Sequence, residues 1–189
     1  MGERRFLHLR LCLAMAITLA ELASLAWQHV HGGIASHHML DRADLPAISN
    51  GWGGLVVPVL AWFLLGRIHR RVAGGKAGQA ATSVSAGIAV GFAIALAFGI
   101  AIAVAFTGGH EDVTNYVFEA MIVLALLLPG YRAECVLGFV LGMMFTFGAV
   151  LPTAVACVVA VASAVVQLGI RPLFARLWAG GRRGQSPAA

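Results

Sequence analysis

Long apolar runs with basic residues at their ends constrain this chain more than any other feature. The run from Ala81 to Thr107 consists almost wholly of Ala, Gly, Ile, Val and Phe, and Cys135 to Ile170 is longer still. One bilayer crossing needs about 20 apolar residues, and the second run is roughly twice that length. Only 11% of the residues are charged, against about 25% in soluble proteins. We therefore predict an all-α fold, a polytopic transmembrane helical bundle.

The runs predict six spans within a single membrane domain that covers residues 1–189. Pro152 is the predicted turn signal between the last two spans, and the glycine-containing loop 67–76 is a predicted flexible connection. A basic cytoplasmic tail, residues 171–189, follows the last span and contains a short amphipathic stretch expected at the membrane interface. The spans are expected at about residues 6–27, 51–66, 81–107, 112–128, 134–149 and 153–170.

The basic residues predict the orientation of this bundle, because short cytoplasmic loops retain Lys and Arg. Six spans place every Lys and Arg except Arg42 on one side of the membrane. We predict that both termini are inside and that the bilayer is a bacterial cytoplasmic (inner) membrane. The pI near 9.9 does not indicate nucleic acid, since the basic residues lie at the ends of apolar runs and form no patch.

A histidine-rich loop, residues 28–50, holds four of the seven histidines and lies on the predicted outer side. Apolar residues between the histidines need a surface to pack against, which predicts a lid or a half-buried helix over the outer ends of the bundle. Gly32 and Gly33 allow backbone conformations that other residues avoid. Asn50-Gly51 predicts a turn into the second span.

Imidazole and carboxylate groups near this loop suggest a divalent metal as cofactor, with zinc or copper favoured. No H-E-x-x-H or C-x-x-C spacing supports it. The alternative that the loop simply holds solvated histidines therefore stays open. The candidate metal ligands are His29, His31, His37, His38, Asp41 and His110.

A metal-free site is the third interpretation, in which a buried carboxylate exchanges a proton with a histidine. The candidate catalytic residues are Glu21, Glu119 and His29, and the two carboxylates are predicted to converge because they lie at similar depth. Residues that continue the polar stripes are candidate substrate-binding groups: Gln28, Asp112, Asn115 and Trp52. Ser36, Ser49 and Thr114 are nucleophiles for a hydrolase version, although none lies in a G-x-S-x-G elbow.

The predicted chemistry is confined to one side of the membrane, because the third, fifth and sixth spans carry no Asp, Glu, Lys, Arg or His beyond Glu134 at a boundary. This favours an enzyme that acts on a lipid or lipid-linked substrate. A small transport or solute-capture subunit and a non-catalytic assembly protein are the alternatives. Gly87-x-x-x-Gly91 and Gly138-x-x-x-Gly142 predict close helix packing, within the bundle, in a homo-oligomer or against a partner membrane subunit.

Overall fold

The computed structural model describes residues 3–34, 36–38, 47–74 and 79–183, and its architecture is helical. The predicted helical fold class is confirmed. The helices are α1 (Glu3–Val30), α2 (Gly53–Ala73), α3 (Gln79–Thr107), α4 (Glu111–Leu127), α5 (Ala133–Phe147), α6 (Val150–Ala164) and α7 (Arg171–Arg183). A π-helical segment, Val165–Ile170, joins α6 to α7 without a break.

Four helices in the described ranges are long and apolar enough to cross a membrane, which is compatible with an integral membrane protein. They cover Arg4–Val30, Asn50–Ala73, Thr82–Thr107 and Val150–Arg176. The fifth helix, α5, is a shorter apolar helix. The fourth, α4, has 17 residues and begins with Glu111 and Asp112.

The histidine-rich loop contains two short strands, β1 (Ser36–His38) and β2 (Ala47–Ser49), which pair antiparallel with Ser36 opposite Ser49. The prediction of a half-buried helix is therefore wrong for these two segments. The prediction that the loop forms a lid over the bundle stays a prediction. Gly32 and Gly33 have φ values of +122° and +103°, which glycine adopts without a steric penalty. The predicted turn at Asn50 is a single 3₁₀ turn, Asn50–Trp52.

The centre of the bundle is α5, although it is one of the shortest helices. It packs against α2, α3 and α6, and Val140 at 1% exposure and Leu137 at 4% are among its buried residues. Beyond Glu134 near its start, α5 is apolar all round, and such a helix belongs in an interior. The helices α2, α3 and α6 are therefore arranged around a short central element.

Close backbone contact between α3 and α5 depends on the second glycine motif. A Cβ on Gly138 would collide with the carbonyl oxygen of Phe92, and one on Gly142 would lie 2.6 Å from that of Leu96. The first motif differs: a Cβ on Gly91 would approach Cys135 Sγ at 3.3 Å, whereas one on Gly87 would meet nothing within 4 Å. Gly138 and Gly142 thus bring helices together inside the bundle.

The predicted end of the second span is wrong, because α2 continues through Ala73. Residues 67–73 are helical, not a flexible loop. Val57, Ala61 and Leu64 are buried at spacings of four and three residues, and the same spacing continues to Arg71. Helical periodicity therefore extends past the point at which the sequence becomes basic.

The turn between α5 and α6 is made by Gly148, with φ of +67°, and not by Pro152. The proline is the third residue of α6. The N–H groups of a first helical turn have no intrahelical acceptor, so a proline there removes no helical hydrogen bond. Pro152 therefore stabilises the start of α6 instead of preceding it.

Candidate functional site

Glu21 is the buried carboxylate at one end of the bundle. It lies on α1, is 2% exposed, and its Oε1 contacts the position that a Cβ on Gly53 would occupy. Gly53 is the first residue of α2, and Ala149 of the α5–α6 turn borders the same position. In the described part of the chain, no ion pair engages this carboxylate.

Two amide side chains lie at the same end of the bundle as Glu21. Asn50 is 5% exposed and its Nδ2 donates a 3.2 Å hydrogen bond to Gln28 Oε1. Asn50 also packs on Gly148, where any Cβ would collide with Asn50 Oδ1. We call Glu21, Gln28 and Asn50 the Glu21 cluster. It joins α1, the start of α2 and the α5–α6 turn.

The chemistry available to the Glu21 cluster follows from its burial. An ionised carboxylate buried without a counter-charge is unfavourable by several kcal/mol or more. Such a group is stable when it is protonated or when it meets a cation or hydrogen-bond donors. The two amides offer both donors and acceptors.

The candidate histidine ligands lie apart from Glu21 or outside the described side chains. His29 and His31 are exposed at the end of α1, where the His31 ring stacks on Trp27 with centroids 3.7 Å apart. His110 is exposed before α4. Asp41 and the side chains of His37 and His38 lie outside the described residues.

The donor set for a metal is therefore incomplete in the described part of the structure. Within the described ranges, no three His, Cys, Asp or Glu side chains form a group that could hold an ion. The described side chains alone therefore do not form a metal site. The zinc or copper proposal stays a prediction that depends on the central part of the histidine-rich loop.

The structure does not bring Glu119 to Glu21. Glu119 is exposed on α4, together with Asp112 and Asn115. The main neighbours of α4 are α3 and α6, whereas α1 packs on α2. Because α1 and α4 have different neighbours, their polar stripes lead to different surfaces of the bundle. Two residues at similar depth in a membrane therefore need not lie on helix faces that meet. Trp52 is 60% exposed beside the Glu21 cluster.

The candidate nucleophiles have local structural roles. Ser49 Oγ accepts a 3.2 Å hydrogen bond from the Gly51 N–H and caps the 3₁₀ turn. Thr114 Oγ1 donates to the His110 carbonyl at 3.0 Å, and Ser36 is exposed in β1. Such short-range bonds are the usual use of Ser and Thr at helix starts. The hydrolase version thus gains no support from these three residues.

A buried ion pair lies at the opposite end of α5. Arg71, near the end of α2, pairs with Glu134 of α5, and their side chains are 31% and 1% exposed. The sequence predicts that Glu134 lies at a span boundary and Arg71 in a loop. The helical spacing of the buried residues of α2 could have predicted the pair, because it places Arg71 on the face that packs against α5.

An apolar groove lies beside this ion pair, between the middle of α3 and the second half of α4. Its volume is about 210 Å³, and Cys135, Val136 and Phe139 of α5 are among its lining residues. Arg132 and Glu134 also border it. Sequence reasoning missed this α3–α4 groove, because its lining comes from several helices and a linear sequence does not show which of their faces meet.

Side chains of α6 and the π segment hold the end of α4 beside this groove. Ser163 Oγ donates to the Ala125 carbonyl at 2.6 Å, and Gln167 Nε2 donates to that of Leu126 at 2.7 Å. Arg171 Nη1 donates to Gln167 Oε1 at 2.9 Å and orients it. The last carbonyls of a helix lack intrahelical donors, so these bonds fix where α4 ends.

Comparison with known proteins adds no functional assignment. No protein-family model, curated protein or solved structure matches the chain. The candidate functional sites are therefore the two polar ends of the bundle, the Glu21 cluster and the Arg71–Glu134 pair.

Proposed function

We propose that this chain is a six-span membrane protein that acts on a lipid or lipid-linked substrate through an outward-facing site at the Glu21 cluster. The observation that carries the proposal is Glu21 itself, a 2% exposed carboxylate on an apolar helix. An ionisable residue within a membrane span is unfavourable by about 2.5–3.5 kcal/mol on insertion scales and usually marks a substrate pathway or a specific partner.

The position of the cluster supports a substrate that arrives from the bilayer. Glu21 lies six residues before Trp27, or about 9 Å along α1. Trp27 is 65% exposed and Trp52 is 60% exposed, and tryptophan is enriched at membrane interfaces. The site would thus lie just below the interface, within reach of the linkage between a lipid headgroup and its chains.

The distribution of basic residues along α2 supports an outward-facing site. The Glu21 cluster is at the start of α2, and Arg67, Arg70 and Arg71 are at its other end. Basic residues are retained on the cytoplasmic side. Six spans with both termini in the cytoplasm, in a bacterial inner membrane, would put the cluster and the histidine-rich loop outside.

Cysteine labelling tests this topology. After Cys12, Cys135 and Cys157 are replaced by Ala, single cysteines at positions 36 and 110 should react with an impermeant maleimide added outside intact cells. Cysteines at positions 76 and 180 should react only after the membrane is opened. Labelling of position 180 in intact cells would contradict six spans.

Substitution of Glu21 tests the function. Wild-type protein in nanodiscs, incubated with phospholipids and polyprenyl-phosphate-linked substrates, should give a product detectable by mass spectrometry. Glu21→Gln should lower the turnover by about 100-fold or more, because it removes a group that transfers a proton or binds a donor. Glu119→Gln should retain turnover, since Glu119 lies apart from the cluster.

The outcomes separate this proposal from its alternatives. Equal turnover by wild type and Glu21→Gln would exclude the cluster as the site. Absence of turnover on every lipid class would instead favour a capture or assembly role. Thermal unfolding of both variants in detergent serves as the control for folding.

A further inference from the structure

The α3–α4 groove combines an apolar lining with a cation at one end. We propose that it binds one acyl chain of an anionic phospholipid and that Arg132 binds the lipid phosphate. This site lies at the end of α5 opposite the Glu21 cluster and does not depend on the proposed function.

The lining and volume of the groove suit part of a hydrocarbon chain. On the α3 side Gly87, Gly91 and Ala95 leave space, and the volume of about 210 Å³ exceeds the roughly 150 Å³ of an apolar cavity that takes up benzene. The groove opens to the surface of the bundle, since two lining residues, Val90 and Leu128, are 56% and 49% exposed. A chain can therefore enter sideways from the bilayer.

The charges at the end of the groove favour an anion. Glu134 is the acidic group there, and Arg71 neutralises it. Among the described residues, no ion pair engages the guanidinium of Arg132. The three charged groups at this end of the groove therefore have a net charge of one positive unit. Arginine binds phosphate oxygens through two parallel hydrogen bonds.

A lipid explains both features together. A soluble anion would use Arg132 and leave the apolar lining without an occupant, and a neutral chain would leave the cation unmatched. The groove end lies on the side of the bundle that carries the α2 arginines. Anionic phospholipids occupy the cytoplasmic leaflet, where basic residues collect.

Native mass spectrometry of the delipidated full chain tests the assignment, with phosphatidylglycerol and phosphatidylcholine of identical acyl chains as probes. Wild type should bind one phosphatidylglycerol about tenfold more tightly than phosphatidylcholine, because both lipids carry a phosphate but the choline cation of phosphatidylcholine offsets its attraction to Arg132. Arg132→Gln should abolish this preference. Arg70→Gln, which removes an exposed arginine on α2, should keep it.

A second pair of variants tests the groove itself. Gly87 lines the groove, and a Cβ added there would meet nothing within 4 Å, so Gly87→Leu should fill part of the groove and weaken the binding of both lipids about tenfold or more. Ala89→Leu, at an exposed position of α3 that does not line the groove, should bind as wild type does. This pair decides the outcome if Arg132→Gln fails to fold.

Four results would overturn the proposal. They are equal binding of the two lipids by wild type, equal loss of preference in Arg70→Gln, unchanged binding by Gly87→Leu, and a dimer held by the groove in place of lipid. Because Glu21 takes no part in this site, Glu21→Gln should bind phosphatidylglycerol as tightly as wild type whatever its turnover.

Discussion

Replacing Arg71 by Met should lower the free energy of unfolding by about 3–5 kcal/mol, the usual effect of removing one partner from a buried ion pair. Glu134 is 1% exposed, so the variant leaves a carboxylate buried without its counter-charge. Methionine keeps most of the aliphatic length of arginine, which limits the loss of packing. Reversible unfolding in mixed detergent micelles with increasing dodecyl sulfate measures the change.

The two partners should behave unequally. Glu134→Gln should be milder than Arg71→Met, because Arg71 is 31% exposed and its charge can still reach water. The double variant Arg71→Met with Glu134→Leu should recover most of the loss, since apolar pairs often replace buried ion pairs without a penalty. Arg70→Met, at an exposed position, should stay within about 0.5 kcal/mol of wild type. Equal effects of Arg70→Met and Arg71→Met would contradict a structural role for the pair.

The helical class could be predicted from the sequence because it depends on properties that each segment has alone. Apolar length, the charged connections and the Pro129-Gly130 break locate the helices without knowledge of their neighbours. The predicted third span, 81–107, ends at the same residue as α3. The coarse architecture can therefore be predicted from local sequence.

The site could be predicted only in part, because it depends on which helix faces meet. Gln28 follows Glu21 by seven residues, and both face the start of α2 as that spacing predicts. The sequence assigns Asn50 only to a turn, and its contact with Gly148 joins segments almost a hundred residues apart. The predicted convergence of Glu21 and Glu119 rests on similar depth and on the polar stripe that each residue continues toward the outer surface. Depth gives no information about the direction of a side chain around a helix.

The ion pair shows how composition can conceal periodicity. Arg67, Arg70 and Arg71 together resemble a solvated basic connection, and glycines follow at 74 and 75. Arg67 and Arg70 are exposed, as a basic connection would be, whereas Arg71 reaches Glu134. The apolar face of a helix can therefore end in a charged residue whose partner lies on a distant segment.

Gly142→Ala should lower the free energy of unfolding by about 3 kcal/mol, near the upper end of the range for overpacking in a core. The new Cβ would lie 2.6 Å from the Leu96 carbonyl oxygen and 2.9 Å from the Gly99 Cα. Both are backbone atoms of α3, so relief requires the two helices to separate. Thermal unfolding in detergent, followed by circular dichroism, measures the loss.

The matched control is Gly87→Ala, the corresponding change in the other glycine motif. Its Cβ would meet nothing within 4 Å, and alanine favours the helix over glycine by about 0.5–1 kcal/mol. The control should therefore be neutral or slightly stabilising. If Gly142 contacted a second copy of the chain instead of α3, Gly142→Ala would convert an oligomer into a stable monomer. Loss of monomer stability with an unchanged oligomeric state is the result expected for a glycine that brings α3 and α5 together within one chain.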